Sequence, residues 1–336
     1  MAEKKVLITG GAGFIGLALA RNIFERDPDA RVVLVDNFSR GKDDTDLRAV
    51  TADPRLSVLS LDLADPASFA KLGNGYDHVY HLAAINGTDL FYKIPHEVMR
   101  VNMLTLIYML EWFRTHNAGG KFLFTSSNEA YAGALEAFDS LPIPTPENVP
   151  LVIADPYNPR WTYATTKLAG ELFVIWYAQM YKFRAVIVRP HNFYGPRAGY
   201  NHVIPQFSLR ITRREDPFMI FGATETRTFC YIDDAVLAMR ELMDSGATDQ
   251  WPIETVHIGG HREVTMRALA DAMFGVAGWK PQKIDVKDAP AGSVKRRQAD
   301  TSKIETLIGW KERTSLEEGL RTTMEWYRKN PGPTAD

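Results

Sequence analysis

The chain has 336 residues, of which 45% are hydrophobic, with 39 Lys and Arg against 41 Asp and Glu and a pI near 6.5. That length allows a full α/β domain with a smaller lobe, and the near balance of charge excludes a global field able to gather nucleic acid or an anionic membrane. Cys230 is the only cysteine, which excludes an intramolecular disulfide or a thiolate zinc cage and makes a reducing cytoplasm the expected compartment.

Met1 to Lys5 lead directly into a strand pattern, and no apolar run approaches the roughly 18 residues of a membrane span, so neither a signal peptide nor a spanning helix is expected. Residues 6–8 are apolar and run into a glycine-rich turn, 14–26 read as a helix, and 32–35 form a second apolar strand closed by Asp36. The alternation continues with strands over 56–59, 78–82, 121–124 and 185–188 and helices over 98–114 and 163–181. Apolar strands alternating with helices predict an α/β chain, a Rossmann-type doubly wound parallel sheet covered on both faces. Residues 1–190 are expected to make most of the large domain and 191–330 most of a smaller C-terminal α/β substrate lobe, with some elements returning to the large domain. The stretch 141–159 holds six prolines and is predicted to be a long irregular loop of the kind that covers a site.

Gly10-Gly11-Ala12-Gly13-Phe14-Ile15-Gly16 satisfies both G-x-G-x-x-G and G-x-x-G-x-x-G between a strand and a helix. Such glycines permit a tight turn and bring backbone N–H groups and a helix N-terminus to a diphosphate. Asp36 stands about 20 residues on, where a carboxylate accepts ribose hydroxyls and repels a 2′-phosphate, so the expected cofactor is NAD. Arg40 nearby is expected to weaken that preference slightly. Asp62, after the third strand and beside Leu63, is expected against the adenine.

Tyr163 and Lys167 stand four apart on a predicted helix, so both leave the same face. A neighbouring ammonium and a cationic nicotinamide favour the phenolate of such a tyrosine, which then takes a hydroxyl proton while hydride leaves the carbon. Ser127 lies in Phe124-Thr125-Ser126-Ser127-Asn128-Glu129-Ala130-Tyr131, at a strand end that faces the ligand crevice, and is expected to hydrogen-bond the reacting hydroxyl.

Residues 9–16, Asp36-Asn37-Phe38, His81-Leu82-Ala83-Ala84, Ser126-Ser127, the Tyr163/Lys167 pair, the run 189–196 and the run 227–234 together resemble the nucleotide-sugar epimerase/dehydratase family, an extended short-chain dehydrogenase/reductase type. The resemblance spans nearly the whole chain. It implies a hydride acceptor held by Tyr163, Lys167 and the backbone near Asn102, in an NAD site that includes Asn37, Leu82, Ala83 and Ala84, with His81 packing near the cofactor. It also implies a sugar-nucleotide diphosphate held by Asn192, Arg227 and Arg297, and a base-covering segment at Val203, so that a UDP-sugar is favoured. The guanidinium chemistry agrees, since arginine gives bidentate bonds to phosphate.

Hydride removal at C4 of the sugar gives a 4-ketose, from which several second steps follow. Family 4-epimerases usually carry a small or hydroxyl residue at the position of Glu129, whereas 4,6-dehydratases and UDP-glucuronate decarboxylases carry Glu there, where α-deprotonation of a ketone needs a carboxylate. Dehydratases acting on dTDP-glucose usually place Asp before that Glu, and here it is Asn128. The run 158–163 resembles the approach to the tyrosine in UDP-glucuronate decarboxylases, with Arg160 suited to a uronate carboxylate; His191 and the stretch 199–202 depart from those enzymes. Decarboxylation or dehydration therefore stands ahead of plain 4-epimerisation. Rival classes are a reductase of a non-nucleotide carbonyl, which has no use for Arg227 and Arg297, and a non-catalytic NAD-sensing protein, which has none for Ser127, Tyr163 and Lys167 together. His191 and His202 are expected to reach substrate. With no cysteine or acidic partner at ligand spacing, no metal is expected. The helices carrying Trp112, Phe113, Trp176 and Tyr177 are expected to pair into a homodimer.

Overall fold

The computed structural model describes residues 3–138, 141–289 and 295–332. A seven-stranded sheet is built from β1 (Lys5–Thr9), β2 (Arg31–Asp36), β3 (Leu56–Ser60), β4 (His78–His81), β5 (Lys121–Thr125), β6 (Arg184–Pro190) and β7 (Glu254–Ile258). Its order is β7-β6-β5-β4-β1-β2-β3 and every pairing is parallel. The direction of winding reverses at β1 and β4, which opens a crevice at their C-terminal ends.

Because strand side chains alternate, each strand feeds two cores. Val6, Ile8, Val32, Leu34, Leu123 and Val188 enter one, with α1 (Phe14–Arg26) and α4 (Ile232–Asp244). Leu7, Val35, Val79, Phe122, Phe124 and Ile187 enter the other, with α2 (Pro95–His116) and α3 (Trp161–Tyr181). Burying each such aliphatic or aromatic side chain is worth about 1.5–3 kcal/mol, which is why these strands read as continuous apolar runs. The helices begin earlier than their apolar periodicity: α2 opens on Pro95, whose fixed φ suits a first turn, and α3 opens on Trp161 just after Pro159.

Residues 141–160 form neither helix nor strand, as their prolines predict. The segment is nonetheless fixed: Thr145 bridges Ala299, Arg189 of β6 donates to the Glu147 carbonyl (2.9 Å), and the Glu147 carboxylate accepts the His257 N–H of β7 (2.8 Å). In the C-terminal part, strands Thr226–Thr228, Glu263–Thr265 and Arg296–Arg297 make a small sheet whose register sets Arg297 opposite Arg227. Of the four helix aromatics, Trp112 and Phe113 are buried within the chain and Tyr177 bonds Glu111 (2.7 Å), while Trp176 is exposed together with Leu172 and Met180. Among the described residues no helix is long and apolar enough to cross a membrane.

Candidate active site

A cleft of about 630 Å³ opens at the switch point. Its floor is the glycine turn. Gly10 sits at φ +68°, where an added Cβ would stand 3.0 Å from the Ala83 nitrogen, and a Cβ on Gly16 would fall 2.5 Å from the Gly10 carbonyl oxygen. Only glycine leaves that space. Gly13 is the N-cap of α1, and neither a capping side chain nor an acidic residue in the first turn competes for the positive end of the helix. Phe14, Ile15, Asp36, Asn37, Asp62, Leu63, Leu82, Ala83 and Ala84 complete the walls.

Asp36 accepts from the Ala12 and Phe38 N–H groups (3.1 and 2.9 Å). Burial raises its carboxyl above the usual range, and those two bonds hold it back. The Thr9 hydroxyl takes the Leu82 and Ala83 N–H groups, each at 3.2 Å, and so fixes the turn after β4 against β1. A glycine floor, an open helix N-terminus and a carboxylate at the end of β2 fit an adenine dinucleotide.

Asn102 lies behind the wall of this cleft: the amide pairs with the Ile85 backbone (2.7 and 3.1 Å) and with Thr166 (3.3 Å), so it shapes the turn after β4. The arginine acting on Asp36 is Arg197, whose guanidinium bonds Asp44 (2.9 Å) and the Ala12 carbonyl (3.1 Å); Arg40 reaches elsewhere. Sequence reasoning missed Arg197, which directly follows the quoted run ending in Gly195-Pro196.

Tyr163 is buried and stacks on Phe91, with centroids 5.0 Å apart and planes 12° from parallel. Burial pushes its phenol well above the usual range, while a Ser127 hydrogen bond and the Arg40 charge pull it down. Lys167 donates to the Thr125 carbonyl (2.7 Å), with its nitrogen 5.5 Å from the centre of the Tyr163 ring, and burial pulls the ammonium down to about 7. Ser127 and Arg40 both favour the phenolate of Tyr163, and the Lys167 ammonium stands beside its ring. Ser127 also caps the turn Asn128–Tyr131, accepting from the Glu129 N–H at 3.1 Å and approaching the buried Asn128 side chain at 3.4 Å.

Glu129, from the same turn, meets three arginines. Arg297 donates to it at 2.6 Å, Arg160 lies 3.9 Å away, and Arg227 acts on it from the paired strand. Burial alone would raise the Glu129 carboxyl, but Arg297, Arg160 and Arg227 outweigh burial and hold it below the usual range. Glu129 in turn acts on Tyr163, so the acidic and phenolic groups share one site. Arg297 is buried and its Nε has no hydrogen-bond partner among the described residues.

Asn192 adopts φ 44° and donates to the Thr228 carbonyl (2.8 Å), which ties the turn after β6 to the strand bearing Arg227. Val203 opens helix Val203–Thr212 and packs on the main core. His202 lines the cofactor cleft. His191, expected to reach substrate, is instead sealed inside, with ring centres 5.9 Å from Tyr131 and 4.8 Å from His257. His81 lies on Phe122 and Phe124, and burial lowers its imidazole to about 3.

A profile of the NAD dependent epimerase/dehydratase family matches residues 6–259. The chain is 30% identical to a dTDP-D-glucose 4,6-dehydratase of Mus musculus, over 97% of this chain and 89% of that one. It is 29% identical to a UDP-N-acetyl-alpha-D-glucosaminuronate decarboxylase of Bacillus cytotoxicus, over 97% and 98% of the two chains. The fold superposes on a UDP-glucose 4-epimerase of Thermotoga maritima solved with UDP-glucose (TM-score 0.82, 28% identity, 98% and 100% covered). It superposes equally on a dTDP-glucose 4,6-dehydratase of Streptomyces venezuelae solved with NAD (TM-score 0.83, 26% identity, 97% of each chain). The family match spans the glycine turn, the Tyr163 helix and the strand bearing Arg227, and the chain belongs to the NAD dependent epimerase/dehydratase family.

Proposed function

We propose that this enzyme oxidises C4 of a nucleotide-linked sugar and then works on the carbon next to the new ketone, by decarboxylation of a uronate or by dehydration. The observation that carries this reading is the Glu129 carboxylate, held ionised by arginines within electrostatic reach of Tyr163. Gly10, Gly13, Phe14, Ile15, Gly16, Asp36, Asn37, Asp62 and Leu63 would hold NAD, with Leu82 to Ala84 backing it. Bound NAD+ supplies the hydride acceptor.

Tyr163 takes the C4 hydroxyl proton, Ser127 orients that hydroxyl, and Lys167 fixes the geometry around Tyr163 from its anchor on β5. Arg227 and Arg297 take the substrate diphosphate, and Asn192 and Val203 line the nucleotide. Glu129 manages protons at C5: it removes the C5 proton as hydroxide leaves C6, or governs delivery of a second proton to C5 after CO2 has left a uronate. Arg160 suits a uronate carboxylate, and Asn128 has no carboxylic proton to offer a leaving hydroxyl, so decarboxylation leads. A UDP-sugar and a cytoplasmic homodimer paired through Leu172, Trp176 and Met180 complete the proposal. Plain 4-epimerisation is the second reading, favoured by the likeness to the Thermotoga maritima epimerase.

The test is incubation with UDP-glucuronate, UDP-glucose, UDP-N-acetylglucosamine, GDP-mannose and dTDP-glucose separately in deuterated water, followed by NMR and mass spectrometry. Loss of CO2 or water with deuterium in the product is expected. A C4 epimer free of deuterium would make Glu129 a partner of Arg297 only, and reduction of a simple carbonyl with every nucleotide sugar untouched would overturn the reading.

A further inference from the structure

Three cations line the cofactor cleft: Arg40, Lys42 and Arg197. Lys42 lies 4.7 Å from the centre of the Tyr200 ring and Arg197 is paired with Asp44 at 2.9 Å. Arg40 has no carboxylate partner among the described residues. It leaves the loop after β2, on the Asp36 side, and extends to the opposite bank, where its Nη2 stands 3.7 Å from the place a Cβ on Gly87 would occupy. Its charge acts on Tyr163 and on His202. The side chain therefore crosses the mouth of the cleft, above a glycine floor to which α1 presents its uncapped N-terminus.

A dinucleotide diphosphate lying on that floor would meet backbone N–H groups below and have one face toward solvent. A guanidinium on that face gives charge-assisted, forked hydrogen bonds. We infer that Arg40 closes over the diphosphate of NAD from the solvent side and slows release of the dinucleotide. This rests on the NAD assignment, and the reach of Arg40 to the Gly87 side of the cleft favours the diphosphate over a 2′-phosphate at Asp36.

Binding of NAD, ADP-ribose and AMP to wild-type, Arg40→Ala and Arg40→Lys proteins, by calorimetry and competition, tests this without reference to turnover. Arg40→Ala is expected to weaken NAD and ADP-ribose about tenfold, equivalent to about 1.4 kcal/mol, to weaken AMP, which has one of the two phosphates, by clearly less, and to speed NADH release in stopped-flow fluorescence; Arg40→Lys should recover part of the loss. Unchanged NAD binding, or an equal loss for AMP, would overturn the inference. So would a larger loss for NADP than for NAD, which would assign the guanidinium to a 2′-phosphate. Wild-type protein that binds none of the three would overturn the NAD assignment itself.

Discussion

Two glutamate–arginine pairs stand near the end of β5 and are built to opposite specifications. Glu171 and Arg189 are bonded twice (2.8 and 2.7 Å), Ser126 donates to the same carboxylate at 2.5 Å, and the remaining Arg189 nitrogen reaches the Glu147 carbonyl at 2.9 Å. Glu129 and Arg297 share one bond of 2.6 Å, two further arginines press on the same carboxylate, and the Arg297 Nε is unpartnered among the described residues. A buried ion pair in which each guanidinium nitrogen and both carboxylate oxygens are bonded is a strut, and removing one partner strands a charge. A buried pair with cations in excess is a site that a ligand anion can enter, because the ligand restores partners the protein does not supply.

The largest effect that sharpens this contrast is at Tyr163, whose phenol feels the Glu129 charge. Tyr163→Phe is expected to lower kcat by about 10²–10⁴-fold with an unchanged melting temperature, read from steady-state rates on the substrate found above; near-normal kcat would remove Tyr163 from the chemistry. Next come the pairs themselves. Arg189→Met should lower unfolding stability by about 3–5 kcal/mol, whereas Arg297→Met should cost only about 1–2 kcal/mol, since Arg160 and Arg227 still face Glu129. Urea unfolding midpoints check this, and equal losses would break the comparison.

A smaller effect is the pH dependence of stability. The folded Glu129 carboxyl lies below its ordinary 4.5, so its contribution is present above pH 4.5 and is lost as pH falls through the folded value. Thermal unfolding of wild-type and Glu129→Gln proteins should therefore converge on acidification, and parallel profiles would mean that Glu129 is not held by the arginines. Smallest is Asp36→Asn, which removes the charge and, having a single carboxamide oxygen, keeps one of the two bonds from Ala12 and Phe38. The affinity ratio of NADP to NAD should rise by roughly tenfold, measured by titration.

The sheet and the cofactor floor were legible in the sequence because their causes are local. A glycine that must hold φ +68° against Ala83, and a strand closed by Asp36, both announce themselves in a few residues. The helix starts were legible only to within a turn, since Pro95 and Pro159 set them ahead of the apolar pattern. Glu254–Ile258 gave no sign that it pairs with β6, because parallel pairing across a long excursion leaves no local mark. The same limit hid how the sugar end is assembled. Arg227 and Arg297 were each visible, but the register that sets them side by side, and the convergence of both on Glu129, come from strands far apart in the chain. The reach of Arg40 and Arg197, and the burial of His191, depend on where long or ambivalent side chains turn after folding, which spacing does not encode.

The central claim is that Glu129 acts after C4 is oxidised. Single turnover of Glu129→Gln with the substrate identified in deuterated water, followed through the absorbance of reduced nicotinamide and by mass spectrometry, tests it most directly. Prompt formation of NADH and the 4-keto sugar with the second step slowed is the predicted result; final product formed at the wild-type rate would contradict it.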